Sequence, residues 1–308
     1  MASSFSKRPS RCGVLNNDIK MEKYILAKDI RETLDILDKY GGKTRVVAGS
    51  TDLLPLVRRT KAKIDCLVDI TGIDGLAYIE EEDGLIKIGA LVTHGEVENS
   101  PLIRKRAFVL AEACGVTGSP QIKNKGTLVG NIVNASPAAD ASVALIILGA
   151  EAKIVSKAGE RVGKVENIFL GPGKPKLAGN ELVTELCFKI LQPGQGGAFL
   201  KLAKRKGLAI SVVNAAVLIS LDESRGICRD ARIAVGSVAP TPVRVKDAEK
   251  ILIGQQVEEK IIEKASLTAM AEVKPIDDIR GSAGYRREMT KVLVARAIRK
   301  AIHRAGGE

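Results

Sequence analysis

The spacing of hydrophobic residues changes twice along this chain of 308 residues and divides it into three parts. In residues 22–75, buried-strand patterns alternate with helical ones, which is typical of a small β-α-β unit with parallel pairing. Between residues 76 and 190, short strands separated by turns such as Asp83-Gly84 indicate a larger mixed or antiparallel sheet. From residue 191 onward, strand patterns precede helical ones. Together these patterns predict an α+β fold.

The first part places a turn of small residues after a buried strand. A helix is predicted over residues 29–40, where Asp29 is a suitable N-cap and two glycines follow the last turn. A short strand over residues 45–48 then leads into a Gly-Ser-Thr-Asp turn. A helix over residues 53–60 and a strand over residues 64–70 complete the unit.

The second and third parts contain the remaining elements. In the second part we expect strands over residues 76–81, 85–90 and 152–156, and helices over residues 102–114 and 138–148. In the third part we expect a three-stranded antiparallel sheet of residues 198–202, 211–221 and 231–238, followed by helices over residues 245–253, 257–271 and 285–304. The predicted organisation is a flexible basic tail at 1–20, a first domain at 21–190 with subdomains 21–75 and 76–190, and a C-terminal domain at 191–308.

The composition restricts the kinds of protein this chain can be. Hydrophobic residues are 45% of the chain and charged residues 27%, which excludes a mainly disordered protein. The net charge of +12 suits nucleic acid, an anionic cofactor or an acidic partner, but aromatic residues, on which single-stranded bases stack, are only 3%. No uncharged apolar run approaches the ~20 residues of a membrane span, and the N-terminus resembles no secretory signal. We therefore expect a cytoplasmic protein with no membrane span and no nucleic-acid partner.

The cysteines and histidines are too dispersed for a local metal site. The five cysteines include no CxxC pair, and the only histidines are His94 and His303. Reduced, mostly buried thiols are the simplest interpretation. We expect no metal ligands and no iron–sulfur cluster within this chain, and we expect His94 in a surface turn.

Two segments have the residue types of loops that bind phosphate. Residues 46–54 (VVAGSTDLL) run from a buried strand into a glycine and two hydroxyl side chains, which let backbone N–H groups and hydroxyls approach an anion. Residues 118–140 contain Thr127–Asn131 (TLVGN) and a turn that enters an apolar helix at Asp140. Each segment also has a purely structural interpretation, since small residues suit any tight turn and a carboxylate at a helix start usually caps backbone amides.

These loops and three later segments resemble the FAD-binding medium subunit of molybdenum hydroxylases. That family includes the flavoprotein subunits or segments of xanthine dehydrogenase and carbon monoxide dehydrogenase. The resemblance continues through residues 201–216 (KLAKRKGLAISVVNAA), 231–244 (ARIAVGSVAPTPVR) and 275–298 (PIDDIRGSAGYRREMTKVLVARAI), and it covers roughly residues 22–301. It implies a two-part FAD-binding domain followed by the flavoprotein C-terminal domain.

The resemblance also implies a non-covalent FAD site and its residues. The first loop corresponds to residues 46–53, the second to residues 127–131, Asp140 to a carboxylate near the FAD, and Lys201 to a basic residue near the flavin. Val183 falls where an aliphatic residue borders the site, and Ile210 near the residue that covers the isoalloxazine. The complete set is Val46, Val47, Ala48, Gly49, Ser50, Thr51, Asp52, Leu53, Thr117, Thr127, Leu128, Val129, Gly130, Asn131, Asp140, Val183, Lys201 and Ile210.

Two positions depart from the pattern of many relatives. Gly49-Ser50 and Val129-Gly130 stand where those relatives carry Gly-Gly. Ser50 is small and can donate a hydrogen bond, whereas Val129 suits the loop only with its side chain turned away from the phosphates. Gly130 is then the expected point of closest approach, and a positive φ there would add strain to any substitution. Arg286 is expected on a solvated helix face or at a subunit interface.

The function that the resemblance implies is electron transfer within a larger complex. A molybdenum-cofactor large subunit would hydroxylate the substrate, a small subunit would carry [2Fe–2S] clusters, and FAD in this chain would pass electrons to NAD or another acceptor. The substrate pocket would lie in another chain, so no catalytic residue is assigned here. A stand-alone FAD-dependent oxidase and a basic nucleic-acid binder remain as alternatives at this stage.

Overall fold

The computed structural model describes residues 21–60, 64–222 and 226–306, so the basic tail expected at residues 1–20 lies outside the described residues. The first part is a three-stranded parallel sheet in the order β1-β3-β2 with two helices. Its elements are β1 (Met21–Leu26), α1 (Ile30–Tyr40), β2 (Thr44–Val47), α2 (Leu53–Thr60) and β3 (Ile64–Asp69). Asp29 caps α1 by accepting a hydrogen bond from the Glu32 N–H at 2.7 Å, as the sequence predicts.

The second part contains a five-stranded antiparallel sheet in the order β4-β5-β10-β6-β7 and six short helices. The elements are β4 (Ile79–Glu82), β5 (Leu85–Gly89), α3 (His94–Asn99), α4 (Pro101–Arg106), α5 (Phe108–Gly115), α6 (Pro120–Lys123), α7 (Leu128–Val133), α8 (Asp140–Ile147), β6 (Glu151–Ser156), β7 (Gly159–Lys164), β8 (Phe169–Gly171), β9 (Lys174–Pro175) and β10 (Leu182–Lys189). The central strand β10 is absent from the sequence prediction, as are α3, α6 and α7.

The single helix predicted over residues 102–114 is two helices, α4 and α5. They meet at Ala107, which is fully buried and has the non-helical angles φ −154° and ψ 45°. The carbonyl of Arg106 accepts a hydrogen bond at 2.9 Å from the N–H of Leu191, which lies after β10. A tertiary contact thus uses a carbonyl that a continuous helix would have bonded internally.

The third part is an antiparallel sheet in the order β11-β12-β13-β14 covered by three helices. The elements are β11 (Gln195–Ala203), β12 (Ser211–Leu221), β13 (Cys228–Gly236), β14 (Val243–Arg244), α9 (Lys246–Leu252), α10 (Glu259–Glu272) and α11 (Ala283–Ala305). The three predicted strands are present, and the two residues of β14 add a fourth. Pro240 and Pro242 precede β14, and proline lacks the N–H that a longer ladder needs.

The sheet of the third part packs on both sides. On one face, Ala216 and Leu218 of β12 join the core of the second part, which includes α5 and α8. On the other face, Val217 and Ile219 join a second core beneath α9, α10 and α11. Burial on both faces explains why β12 is mainly apolar rather than alternating, and it joins the two domains through a shared apolar core.

Two polar clusters fix helix α11. Near its C-terminal end, Glu112 of α5 accepts hydrogen bonds from Lys300 at 2.9 Å and Arg304 at 2.6 Å. Near its start, Arg286 is only 3% exposed and donates to the carbonyls of Val212 and Ser237. The expectation that Arg286 lies on a solvated face is therefore wrong, because its guanidinium satisfies carbonyls of the sheet. None of the described helices is long and apolar enough to cross a membrane.

Candidate functional site

The fold packs the first predicted phosphate loop against the backbone of Lys125 and Gly126, which lead directly into the second loop at residues 127–131. A Cβ built on Gly49 would overlap the carbonyl oxygen of Lys125 and lie 2.8 Å from Gly126 Cα. A Cβ built on Gly126 would lie 3.1 Å from Thr51 Oγ1. The loops therefore meet through two glycines, although Gly49 and Lys125 are 76 positions apart in the sequence.

The first loop turns sharply between β2 and α2. Val47 is buried beneath it, in a small core with Val57 and Leu67. Ser50 has φ 55°, in the left-handed region that residues other than glycine seldom occupy. Its Oγ is buried and has no hydrogen-bond partner in the described part of the chain. A strained residue with an unpaired buried hydroxyl is a common mark of a ligand-binding turn.

The second loop is the start of a short helix. Thr127 is the N-cap of α7, and its Oγ1 accepts a hydrogen bond from the Gly130 N–H at 3.2 Å. Leu128 and Val129 are part of the main core. The side chain of Val129 is therefore turned inward, away from a phosphate at the loop surface, as a phosphate-binding role requires. Gly130 is exposed and is not among the described residues with a positive φ, so the left-handed conformation considered for it does not occur.

Helix α7 also carries an unpaired polar atom, as the first loop does at Ser50 Oγ. Asn131 Oδ1 is buried and has no hydrogen-bond partner among the residues that the structure describes. It stands next to exposed Gly130, as the unpaired hydroxyl of Ser50 stands next to Gly49. The structure therefore leaves one unsatisfied polar side chain on each loop, next to a glycine in the sequence.

Asp140 and Lys201 form a buried ion pair that links the two domains. Lys201 Nζ donates to Asp140 Oδ2 at 2.6 Å and to the Val116 carbonyl at 3.0 Å. Ser211 Oγ and Asn214 Nδ2 donate to Asp140 Oδ1 at 2.6 and 2.7 Å. The N-cap of α8 is Ala139, and no side-chain cap bond is present, so the interpretation of Asp140 as a helix cap is wrong. Ser211 and Asn214 are members of this network that the sequence prediction missed.

The other predicted residues are more scattered. Val183 lies in β10, 4% exposed, in the main core. Thr117 donates its hydroxyl to the Ala113 carbonyl at 3.0 Å, just after α5. Ile210 precedes β12 and is 55% exposed, which leaves it free for contact with a bound group.

Two clefts border these residues. One of about 310 Å³ starts at the first loop and is lined by Thr51, Asp52, Pro55, Leu56, Arg59 and Asn134. The other, of about 610 Å³, lies between α5 and β11, with Val116, Leu200 and Lys201 in its wall. The first cleft adjoins the touching loops, and the second adjoins the ion pair.

His94 is a further residue beside the loops, and it is not in a surface turn as the sequence suggested. It is the first residue of α3, is 2% exposed, and places Nδ1 3.4 Å from Cys114 Sγ. Burial, assisted by the nearby charge of Lys123, lowers the pKa of His94 to about 4. A lone Thr-His pair in the sequence gives no signal of this burial, because the residues that cover it lie far away in the chain.

The loops fit a nucleotide cofactor with a pyrophosphate. Gly49 has no room for a side chain, which is the condition for close backbone packing between the loops. Ser50 Oγ and Asn131 Oδ1 are buried and unpaired in the described structure, so a ligand that reached them would supply missing hydrogen bonds. Thr51 adds a second hydroxyl at the point of contact.

Comparison with protein-family models decides the family. Residues 18–189 match the model described as the FAD binding domain in molybdopterin dehydrogenase, and residues 198–301 match the CO dehydrogenase flavoprotein C-terminal domain. The chain belongs to the FAD-binding subunits of molybdenum hydroxylases. FAD is thus the cofactor of its first domain, and the chain is an oxidoreductase subunit.

Individual relatives agree with this family. The 6-hydroxypseudooxynicotine dehydrogenase complex subunit alpha of Paenarthrobacter nicotinovorans is 33% identical over 282 residues, which are 92% of this chain and 95% of the relative. The carbon monoxide dehydrogenase medium chain of Hydrogenophaga pseudoflava is 29% identical over 279 residues, which are 91% and 96% of the two chains. A solved structure of carbon monoxide dehydrogenase from the same organism superposes with a TM-score of 0.88 at 30% identity, covering 92% of this chain and 97% of the other.

Proposed function

We propose that this flavoprotein subunit passes electrons from [2Fe–2S] clusters of a partner subunit to NAD or another acceptor. The observation that carries the proposal is the contact between the two loops. Each loop also has one buried polar atom without a hydrogen-bond partner in the described structure, Ser50 Oγ beside Gly49 and Asn131 Oδ1 beside Gly130. That arrangement favours tight retention of a pyrophosphate cofactor. Curated relatives bear the names medium chain or complex subunit, which supports an assembly with a molybdenum-cofactor large subunit and a cluster-carrying small subunit.

Each group of residues has a distinct task in this proposal. The first loop would hold the cofactor through backbone N–H groups near Gly49 and the hydroxyls of Ser50 and Thr51. The second would act through the exposed start of α7. Flavin supplies the redox chemistry, since it exchanges electrons with both one-electron and two-electron carriers.

The Asp140–Lys201 pair fixes the wall of the second cleft. Its carboxylate is fully engaged by Lys201, Ser211 and Asn214, so the ammonium stays in one position at the junction of the domains. A fixed charge near a redox group acts without reorganisation during the reaction. We propose that Lys201 borders the flavin in this way and that Val183 and Ile210 complete its surroundings.

An activity comparison tests the proposal. The purified, FAD-loaded chain should oxidise NADH or a comparable donor with artificial electron acceptors, while it hydroxylates no substrate. When the cluster-carrying and molybdenum subunits are added, the complex should reduce the acceptor in a substrate-dependent reaction. The chain without FAD serves as the control. Substrate-dependent turnover by the pure single chain would contradict the proposal, as would a complete complex in which substrate never reduces the flavin.

A further inference from the structure

The region behind the second loop is held by backbone hydrogen bonds from the segment before α3. The N–H of His94 donates to the Gly126 carbonyl at 3.0 Å, and the N–H of Leu128 donates to the Val92 carbonyl at 2.9 Å. Thr93 and Thr127 form the β-bridge between these bonds. The start of the second loop is therefore paired with a segment that belongs to neither loop.

The imidazole of His94 lies close to this paired backbone at Gly126. A Cβ built on Gly126 would lie 3.6 Å from His94 Cδ2 and 3.1 Å from Thr51 Oγ1. The ring and the Thr51 hydroxyl of the first loop therefore lie on the same side of Gly126, around the space that a side chain there would fill. On the far side of the ring, Nδ1 contacts Cys114 Sγ at 3.4 Å, so α5 holds the ring from behind.

The start of α3 is itself rigidly fixed. Thr93 and Glu96 form a capping box, in which the Thr93 Oγ1 accepts from the Glu96 N–H and the Glu96 carboxylate accepts from the Thr93 N–H. This box sets the direction of the backbone at His94. His94 itself is 2% exposed, so its ring fills a closed site between Cys114 and Gly126 rather than a surface groove.

We propose that His94 is a positioning residue whose buried ring packs beside Gly126 and Thr51, where the two cofactor loops meet, so that the loops are in place before FAD binds. The ring lies beside the side-chain position that Gly126 leaves vacant, Thr51 Oγ1 borders the same position, and the Gly126 backbone packs close to Gly49. Loss of the ring would open a cavity beside Gly126 and Thr51, at the point where the loops meet. The loops would then separate or fluctuate, and part of the binding free energy would be spent on ordering them.

Affinity for FAD, measured beside apoprotein stability, tests this proposal. In His94→Ala, the dissociation constant of FAD should rise about tenfold or more. The matched control is Ile233→Ala, which removes a fully buried side chain in the core beneath the C-terminal helices. It should lower the apoprotein melting temperature at least as much but change the FAD dissociation constant by less than about twofold. Both titrations are made at a temperature where both apoproteins remain folded.

A restoring variant separates ring support from other effects. His94→Phe keeps a planar ring in the site and should recover most of the affinity lost in His94→Ala. If His94→Ala does not fold, His94→Val takes its place under the same criteria. Unchanged FAD affinity in the truncated variant, or an equal loss of affinity in Ile233→Ala, would overturn the proposal.

The inference rests on the FAD role proposed for the two loops, and the titration keeps the two claims apart. It measures binding and no electron transfer. A wild-type chain that binds FAD tightly but passes no electrons would refute the proposed function and leave the role of His94 standing. A wild-type chain with normal electron transfer and a His94→Ala variant with normal affinity would refute the role of His94 alone.

Discussion

Gly49 is the residue on which the contact between the two loops depends most directly. The carbonyl of Lys125 and the Cα of Gly126 occupy the space where any side chain on Gly49 would begin. Gly130 differs, since the atom nearest to its missing Cβ would be Thr127 Oγ1 at 2.6 Å, the cap of its own helix. A substitution at Gly49 therefore separates the loops, whereas one at Gly130 first disturbs the cap of α7.

We expect Gly49→Ala to weaken FAD binding by more than tenfold, or ~1.4 kcal/mol, because the added methyl group must push the loops apart. FAD titration of the apoprotein measures this loss. Gly284→Ala in α11 is the control, since a Cβ there meets no atom within 4 Å in the described structure. Equal FAD affinities for the two variants would show that loop contact is not needed for binding.

Gly130→Val should also weaken FAD binding by more than tenfold, or ~1.4 kcal/mol. The expected cause is disturbance of the helix cap rather than backbone strain. The Gly130 N–H donates to Thr127 Oγ1, and the φ of Gly130 is not in the left-handed region. The added side chain would displace Thr127 Oγ1 and shift the start of α7. Lower apoprotein stability with wild-type FAD affinity would instead assign Gly130 a role in the fold alone.

His94 should give the folded protein a dependence on pH. Its pKa is about 4 when folded, against 6.5 for the free side chain, so the unfolded chain binds the extra proton between these values. Stability should therefore fall as pH drops from about 6.5 to about 4, by about 3 kcal/mol in total. Urea unfolding across this range, compared with His94→Phe, isolates the effect. Parallel curves for the two proteins would contradict it.

At the scale of secondary-structure elements, the Asp140–Lys201 pair joins α8 to β11 and, through Ser211 and Asn214, to β12. Both charged side chains are almost entirely buried, with exposed fractions of 5% and 10%. Buried pairs of this kind add little net stability compared with apolar replacements, but removal of one partner leaves an uncompensated buried charge. Their value here is that they fix the register between the two domains.

We expect Asp140→Asn to destabilise the protein by about 3 kcal/mol, because the buried ammonium of Lys201 loses its counter-ion. The double variant Asp140→Asn with Lys201→Met should recover part of that loss. Urea unfolding of the apoproteins measures both values. If the double variant were as unstable as the sum of the single variants, the two side chains would not be energetically coupled.

The elements that the sequence predicts well are those whose pattern is local. The strand over residues 211–221 is found unchanged, because apolar side chains are needed on both of its faces. Strand β10 was missed because Thr184 and Glu185 interrupt its apolar alternation and its partners β5 and β6 lie far away in the chain. The break at Ala107 follows from one tertiary hydrogen bond, which no pattern of residues 102–114 indicates.

The same distinction holds for the site. The loops at residues 46–53 and 127–131 carry small residues and hydroxyls in sequence and could be predicted. Their mutual contact, the burial of His94 and the partners of Asp140 all join residues separated by many positions. These features arise from packing between distant segments, so local patterns predicted a surface turn for His94 and a helix cap for Asp140, and both interpretations are wrong.

At the scale of the whole molecule, the chain combines a two-part cofactor domain with a C-terminal sheet that shares its core. The sheet closes one side of the first domain through β12 and presents Lys201 to Asp140 across the boundary. Glu112 and Arg304 fasten the far end of α11 to α5. The two domains are therefore joined by a shared core and by polar contacts, and the family matches span both.

The most direct test of this account is the flavin content of the purified chain. We predict that the protein binds one FAD per chain, absorbs in the blue, and releases all of its yellow colour into the supernatant when acid precipitates the polypeptide. That result is expected if the two loops hold the cofactor by hydrogen bonds and packing, as we propose. A chain that takes up no FAD, or a pellet that keeps the yellow colour, would contradict it.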